Sequence, residues 1–89
     1  MKIKAYAVYD NKAEAFMQPF FAGNPGLAIR TFSDNCKNPE SIWNRHPNDF
    51  CLYEIGEYDE NSGELINHEQ NKNLGMAIEY IKQEIEAVG

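Results

Sequence analysis

The first residues of the chain alternate with the two-residue period of a β-strand, which predicts a strand over residues 2–9. A turn signal follows at residues 10–12, and the apolar run 15–21 predicts the returning strand of a hairpin. Pro19 lies inside that run, so the returning strand should be an edge strand or carry a bulge. One side of the first strand carries Lys4, Tyr6 and Val8, and the other carries Ile3, Ala5, Ala7 and Tyr9.

A helical spacing replaces this alternation after the hairpin. Apolar residues recur every four positions from 28 to 36, which predicts a helix with one buried face. Asn24 and Pro25 are typical of an N-cap followed by the first helical position. The helix should end before Pro39, and a short helical turn is expected over residues 40–45.

The second half follows a roughly parallel plan, although the sequence shows no internal repeat. Residues 50–58 and 64–68 predict a second hairpin, which is joined across an acidic turn that ends at Gly63. A last helix is expected from a 4-3-4-3 apolar stripe and an i,i+4 ion pair. The stripe consists of Leu74, Ile78, Ile81, Ile85 and Val88, and the pair of Lys82 and Glu86.

These elements together predict one α+β domain over residues 1–89. Two β-hairpins should form a mostly antiparallel sheet with two helices on one face, in the order ββαββα. The apolar stripe of the last helix has the spacing of a coiled coil, but it lasts barely two heptads. Packing on the sheet of the same molecule is therefore the expected use, with self-association as the alternative.

Length and composition are those of a small globular domain. The chain has 89 residues, of which 43% are hydrophobic and 25% charged. A domain of this size buries only about 60–65% of its unfolded surface, so marginal stability or self-association is expected. The N-terminus lacks the apolar stretch of a signal peptide, and no segment of the sequence reaches the roughly 20 apolar residues of a membrane span. We therefore expect no membrane association.

The net charge of −6 opposes a nucleic-acid-binding role. Proteins that bind nucleic acids are usually basic, because neutralising phosphates supplies much of their affinity. The charge is uneven, however: residues 1–51 carry six basic and five acidic residues, and residues 52–89 carry two and nine. Because screening acts over about 8 Å at physiological salt, a local basic face in the first half can still contact phosphates.

Neither catalysis nor metal binding is indicated by the spacing of reactive residues. Cys36, Cys51, His46 and His68 do not fall into the spacings of a zinc site. Two such cysteines fit reduced thiols in a cytoplasm better than a disulfide framework. The acidic turn lacks the ligand pattern of a calcium loop, and no Gly-rich phosphate loop is present in the sequence. We therefore expect no enzyme, no cofactor and no metal.

Basic residues interleaved with aromatic ones are the pattern of single-strand binding, in which bases stack on flat side chains while lysine and arginine follow the phosphates. The first half of the chain shows this pattern. The candidate nucleic-acid-binding residues are Lys2, Lys4, Tyr6, Phe20, Phe21, Arg30, Lys37, Trp43, Arg45 and His46.

Several of these candidates have an alternative structural role. Phe20 and Phe21 are adjacent in a predicted strand, so they should point to opposite faces and at most one can be buried under the helices. Trp43 either stacks on a base or caps the edge of the core. Arg30 and Lys37 lie two turns apart on one helix, where they either meet phosphates or form an ordinary solvated face.

Several blocks of the sequence resemble a known family. They are residues 6–10, the segments 18–21 and 26–34, and the run 47–63. In their order and spacing they resemble the small nonstructural protein of the gokushoviruses, which are tailless single-stranded DNA bacteriophages of the Microviridae. The resemblance covers residues 4–66 and does not extend to the C-terminal helix.

The resemblance implies a DNA-binding protein that is linked to the switch from duplex replication to single-strand genome synthesis. It places Arg30 in the family's Ala-Ile-Arg block and His46 just before its Pro-x-Asp-Phe block. We therefore expect a non-enzymatic single-stranded DNA-binding protein in the cytoplasm of a bacterial host, acting as a homodimer because two sites gain avidity. The alternative is a protein–protein adaptor in phage replication or capsid assembly without direct DNA affinity.

Overall fold

The fold is a five-stranded antiparallel sheet with helices on one face. A computed structural model describes residues 2–81. The sheet is built on two long central strands, β1 (Lys2–Asp10) and β4 (Phe50–Asp59), which pair with each other along their whole length. The outer side of β1 pairs with β2 (Ala15–Phe16) and β3 (Phe20–Ala22), and the outer side of β4 pairs with β5 (Glu64–Met76).

Both helices between the hairpins start at a capping side chain, and the first of these caps, Asn24, is the predicted one. Helix α1 (Pro25–Cys36) begins with Pro25 in its first turn, and the Asn24 side chain accepts a hydrogen bond from the Leu27 amide at 3.0 Å. Such a cap satisfies one of the unpaired amides at a helix start. The short helix α2 (Ile42–Arg45) is capped in the same way by Ser41.

The core lies between these helices and one face of the sheet. On the strands, the buried residues are those that alternate on one side, because successive side chains of a strand point to opposite faces. A helix that begins at residue 77 and is described as far as residue 81 packs on the same side. The buried core consists of Tyr6, Val8, Ala28, Phe32, Cys36, Phe50, Leu52 and Ala77.

The predicted fold class is confirmed, whereas the predicted order ββαββα differs from the structure. The returning strand is split into β2 and β3 by residues 17–19, which include Pro19. The Met17 amide still donates to the Val8 carbonyl at 2.8 Å, so the regular pairing is lost after it. A proline has no amide proton for the ladder. The short helix α2 adds an element between the hairpins, so residues 2–81 contain three helices rather than two.

The second hairpin is longer than the sequence predicts. Strand β5 runs on to Met76 instead of ending near residue 68, so Leu74 belongs to the strand and not to the last helix. Gly75 has a positive φ of 120° at the end of the strand, a conformation that glycine adopts without steric cost. Ile78 and Ile81 are half-buried on the helix that follows. The remaining predictions for this helix, Ile85, Val88 and the pair of Lys82 with Glu86, lie outside the described residues.

Candidate nucleic-acid interface

The face of the sheet that points away from the helices carries exposed aromatic side chains. The alternation of β1 places Ala5, Ala7 and Tyr9 on this face, opposite the buried Tyr6 and Val8. Residues that pair across strands share a face, which assigns the neighbouring strands as well. We call this surface the open face, and its aromatic residues are Tyr9, Phe16, Phe21, Tyr53 and Tyr58.

These five aromatic residues form two clusters. In the first, the ring centroid of Phe16 lies 4.9 Å from that of Tyr9 and 5.8 Å from that of Tyr53, both in edge-to-face geometry. In the second, the rings of Phe21 and Tyr58 are 5.3 Å apart. Phe16 and Phe21 are each 45% exposed. Both clusters therefore present flat apolar surface to solvent.

Small residues lie between the two clusters. Ala5 and Ala7 are fully buried beneath their larger neighbours although they lie on the open face, and Gly56 is buried opposite Ala5. Without long side chains here, the middle of the face is a hollow of about 400 Å³. It is lined by Ala7, Phe16, Met17, Pro19, Ile55, Asn67, His68, Glu69 and Asn71.

A bulge in β5 forms one wall of this hollow. Lys72 pairs with Glu54 and Asn67 pairs with Gly56, so the four residues 68–71 lie opposite the single residue Ile55. Such an insertion leaves residues unpaired and bends the strand. The opposite wall comes from residues 16–19, where the outer strand breaks between β2 and β3.

A buried carboxylate fixes the two ends of the bulge. The side chain of Glu54 is 2% exposed, and its Oε2 accepts a hydrogen bond from His68 Nε2 at 2.7 Å. The same oxygen lies 3.5 Å from Lys72 Nζ. A buried carboxylate is costly unless it is paired, so these contacts explain how Glu54 is accommodated. They also hold both ends of residues 68–71 against β4.

Tyr6 also lies in the core, so the prediction that it stacks on a base is wrong. It has no exposed surface, and its ring stacks against Phe20 at 5.8 Å. Burial, together with the charge of Glu54, raises the pKa of Tyr6 to about 12. Within the described residues its hydroxyl has no hydrogen-bond partner. Lys4 and Tyr6 do share a face, as predicted, but that face is the covered one.

The two adjacent phenylalanines point to opposite faces, as the sequence predicts. Phe20 packs against the core, and Phe21 is exposed on the open face. Trp43 takes the capping role, since it packs against the core with its ring 4.9 Å from that of Phe32. Its indole Nε1 lies 3.4 Å from Met17 Sδ, which ties α2 to the wall of the hollow.

The predicted basic residues do not form one patch. Lys4 is paired with Glu57 at 3.2 Å, and this contact lowers the pKa of the Glu57 carboxyl. Lys2 is exposed at the start of β1, beside the end of β4 at Asp59. Arg30 is exposed on α1 and Lys37 is exposed directly after its last residue, at the opposite side of the sheet from Phe21.

The remaining predicted residues lie at the far end of the molecule from Lys2. Arg45 and His46 are exposed at the end of α2, near the start of β4. His46 lines a small hollow of about 280 Å³ together with Asp10, Lys12 and Asp49. Two carboxylates in this hollow make it a poor site for a phosphate.

The sequence-based selection missed most of the open face. Of the selected aromatic residues, Phe21 alone lies there. The other aromatic residues of this face are available in the sequence but are not among the selected ones; they are Tyr9, Phe16, Tyr53 and Tyr58. The sequence does contain a signal for the two faces of β1. The side with Tyr9 carries the small residues Ala5 and Ala7, whereas the other side carries larger apolar residues. Larger apolar side chains supply more buried area, so they indicate the core face.

The described residues form neither a metal-binding cluster nor a membrane-spanning helix. No group of three or more histidine, cysteine, aspartate or glutamate side chains within residues 2–81 is arranged to hold a metal ion. In the same part of the chain, no helix has the length and apolar character needed to cross a membrane.

The fold and the open face define a small α+β domain with an exposed aromatic sheet surface. A family model described as Phage ORF5 protein matches residues 3–80. The chain therefore belongs to the Phage ORF5 protein family, which confirms the expectation of a phage protein. No curated protein and no solved structure matches the chain significantly.

Proposed function

We propose that this phage protein binds single-stranded DNA on the open face of its sheet. The observation that carries the proposal is the pair of exposed aromatic clusters on a sheet face that the described helices leave uncovered. The resemblance to gokushovirus nonstructural proteins supplies the setting: the protein would bind nascent genome strands and favour the switch from duplex to single-strand synthesis. It would act in the cytoplasm of the bacterial host.

The clusters have the geometry of a stacking surface for more than one base. Phe21 pairs with Ala5 and Phe16 pairs with Tyr9, so the clusters are separated by four residues along β1. At about 3.4 Å per residue, this is a distance of about 14 Å. Stacking on an aromatic side chain contributes about 1–3 kcal/mol per base and needs little sequence preference.

Exposed lysines near the two ends of β1 supply positive charge for phosphates of a strand that crosses the open face. Lys2 is the first residue of β1, one position from Ile3, which pairs with Tyr58 of the second cluster. Lys12 lies in the turn beside the first cluster, where the nearby carboxylates of Asp10 and Asp49 offset part of its charge. Both lysines are exposed. The net charge of −6 opposes binding to duplex DNA more strongly than to a single strand, because a duplex has the higher charge density and hides its bases. The proposed preference for single strands follows from this contrast.

The test is a titration of the purified protein with a labelled 30-base strand and with the matching duplex, at low and at physiological salt. We expect tighter binding of the single strand. Phe21→Ala and Tyr53→Ala should each weaken it about 5- to 100-fold, because each removes a stacking partner. Leu27→Ala is the matched control: Leu27 is 44% exposed on α1, on the other side of the sheet, and its loss should leave affinity unchanged.

A protein–protein adaptor in replication or capsid assembly is the second candidate. It is favoured by the acidic charge and by adjacent exposed apolar residues on the edge strand β5, where Leu65 is 46% and Ile66 is 44% exposed. An edge strand offers unpaired backbone groups to another chain. Binding of neither DNA form at low salt would exclude the first candidate and favour this one.

We also propose a homodimer, because a small domain gains buried surface by association and two sites gain avidity. Light scattering after size exclusion gives the mass directly. A mass of about 20 kDa, twice the 10.2 kDa of the chain, supports the dimer, and a mass of one chain excludes it.

A further inference from the structure

We propose that the hollow between the two aromatic clusters holds one unstacked nucleobase of the bound strand and gives the protein a base preference. This inference rests on the proposed function and extends it, because stacking alone is tolerant of sequence. The hollow is a distinct part of the open face, and Phe16 belongs both to its wall and to the first aromatic cluster. A strand that stacks on Phe16 therefore passes the hollow.

Size and wall chemistry suit a flat heterocycle. The volume of about 400 Å³ is at the lower end of the range for small-molecule sites. Phe16, Met17, Pro19 and Ile55 supply apolar surface on the side of the broken outer strand and on the floor. Apolar walls of this kind accept the faces of a base that has left the stack.

The β5 side of the hollow supplies polar groups for the edge of a base. Asn67 and Asn71 line the hollow and are exposed. An amide side chain carries both a donor and an acceptor, so it can match the paired donor and acceptor groups along a base edge. Glu69, on the same wall, accepts hydrogen bonds and disfavours a phosphate. These groups fit a neutral base better than the strand's backbone.

The wall that carries these amides is held in place before any ligand binds. Glu54 contacts both His68 and Lys72, which lie at the two ends of the bulge. Holding a recognition loop in its bound shape lowers the ordering cost of binding. The His68 contact is the better shielded of the two, because the His68 side chain is 20% exposed whereas that of Lys72 is 63% exposed.

Trp43 provides a reporter for the hollow. It is the single tryptophan of the chain, and its indole Nε1 lies 3.4 Å from the sulfur of Met17, a wall residue. A base that displaces Met17 changes the environment of the indole. Its emission therefore reads occupancy of the hollow separately from overall affinity.

The test compares 30-base homopolymers of A, C and T with the intact protein and with a variant that lacks both wall amides, Asn67→Ala combined with Asn71→Ala. We expect the intact protein to bind one homopolymer at least about fivefold more tightly than the others, which is the low end of what a good base contact supplies. Binding of that homopolymer should also change the Trp43 emission. The double variant should bind all three within twofold and lose the emission change. Asn61→Ala, an exposed asparagine in the turn after β4, is the control and should keep the preference.

The outcomes separate this inference from the proposed function. One outcome is that Phe21→Ala weakens strand binding while the intact protein binds all three homopolymers equally. This outcome overturns the base site and leaves the stacking surface intact. A preference that survives the double variant also overturns it. Failure to bind any strand at low salt overturns both.

Discussion

At the scale of single residues, the most consequential glycine is Gly56, in the middle of the sheet. A Cβ built there would overlap the backbone carbonyl oxygen of Ile66 and lie 3.0 Å from the Cα of Asn67. Both are backbone atoms of the neighbouring strand and cannot rotate away. The close approach of β4 and β5 at this point therefore requires glycine.

Gly56→Ala should lower the free energy of unfolding by about 2–4 kcal/mol, measured by urea denaturation. Gly23→Ala is the matched control. Its added Cβ would meet a single atom, the Cδ1 of Leu27, at an ordinary 3.8 Å, so its effect should stay within about 0.5 kcal/mol. Equal stabilities of the two variants would show that the strands do not approach as described.

The hydroxyl of Tyr6 is a second single-residue feature that affects stability. It is buried, and within the described residues it has no hydrogen-bond partner. An unsatisfied buried polar group costs about 1–3 kcal/mol. Tyr6→Phe should therefore raise the free energy of unfolding by about 1 kcal/mol in the same urea assay. A loss of stability instead would mean that the hydroxyl has a partner that the fold depends on.

The Cys36 thiol should make the free energy of unfolding fall as pH rises in the alkaline range. Burial raises the pKa of its thiol from 9.0 to about 12. The unfolded chain therefore loses this proton first as pH rises. The part of the free energy of unfolding that comes from the protonated Cys36 thiol is fully present below pH 9. It is lost between pH 9 and 12, at about 1.4 kcal/mol per pH unit.

The measurement is the free energy of unfolding at pH 8, 9 and 10. Cys36→Ala should lower the free energy of unfolding at pH 8, because it removes a buried side chain. Between pH 9 and 10, the free energy of unfolding of the variant should fall less steeply than that of the intact protein. Burial raises the pKa of Cys51 as well, so part of the slope remains in the variant. Parallel curves for the two proteins would contradict the assignment to Cys36.

At the scale of elements, local patterns predicted α1 well and β5 poorly. The helix depends on its own cap and spacing, which adjacent residues encode, so the boundaries near Asn24 and Cys36 agree with the sequence. The length of β5 depends on pairing with β4, and its bulge interrupts the alternation that would identify a strand. Residues 69–76 therefore gave no strand signal, and the predicted strand stops at residue 68.

The same limit applies to the candidate site. The sequence separated Phe20 from Phe21, because strand alternation is local. It did not establish which face of β1 the helices cover, since that is decided by long-range packing. Tyr6 was therefore assigned to the surface, although it belongs to the core.

We expect the bulge of β5 to be dispensable for the sheet, because it interrupts the pairing of β4 and β5 at a single position. Deleting residues 69–71 leaves His68 alone between Asn67 and Lys72, which matches the single Ile55 across the ladder. We expect the deletion variant to keep its fold and its thermal midpoint within a few degrees, since the contacts of Glu54 are retained. It should lose base preference because the wall of the hollow is gone. A collapse of the fold would show that the bulge is structural.

At the scale of the whole molecule, charge and shape point to different modes of DNA binding. The selected basic residues are spread over both faces and both ends, and Lys4 is already paired with Glu57. The open face brings together aromatic rings, whereas the lysines beside it, Lys2 and Lys12, lie near the two ends of β1. Binding there should depend on stacking more than on phosphate contacts.

This contrast predicts a shallow dependence of affinity on salt. Each phosphate contact to a single strand contributes a slope of about −0.7 in a plot of log affinity against log salt. Two contacts on the open face give a slope of about −1.4, and Lys2→Ala or Lys12→Ala should each reduce its magnitude by about 0.7. Arg30→Ala, on the opposite side of the sheet, is the control and should leave the slope unchanged. A slope steeper than about −3, reduced by Arg30→Ala, would place the strand along the helices instead, because four or more cations would then be engaged.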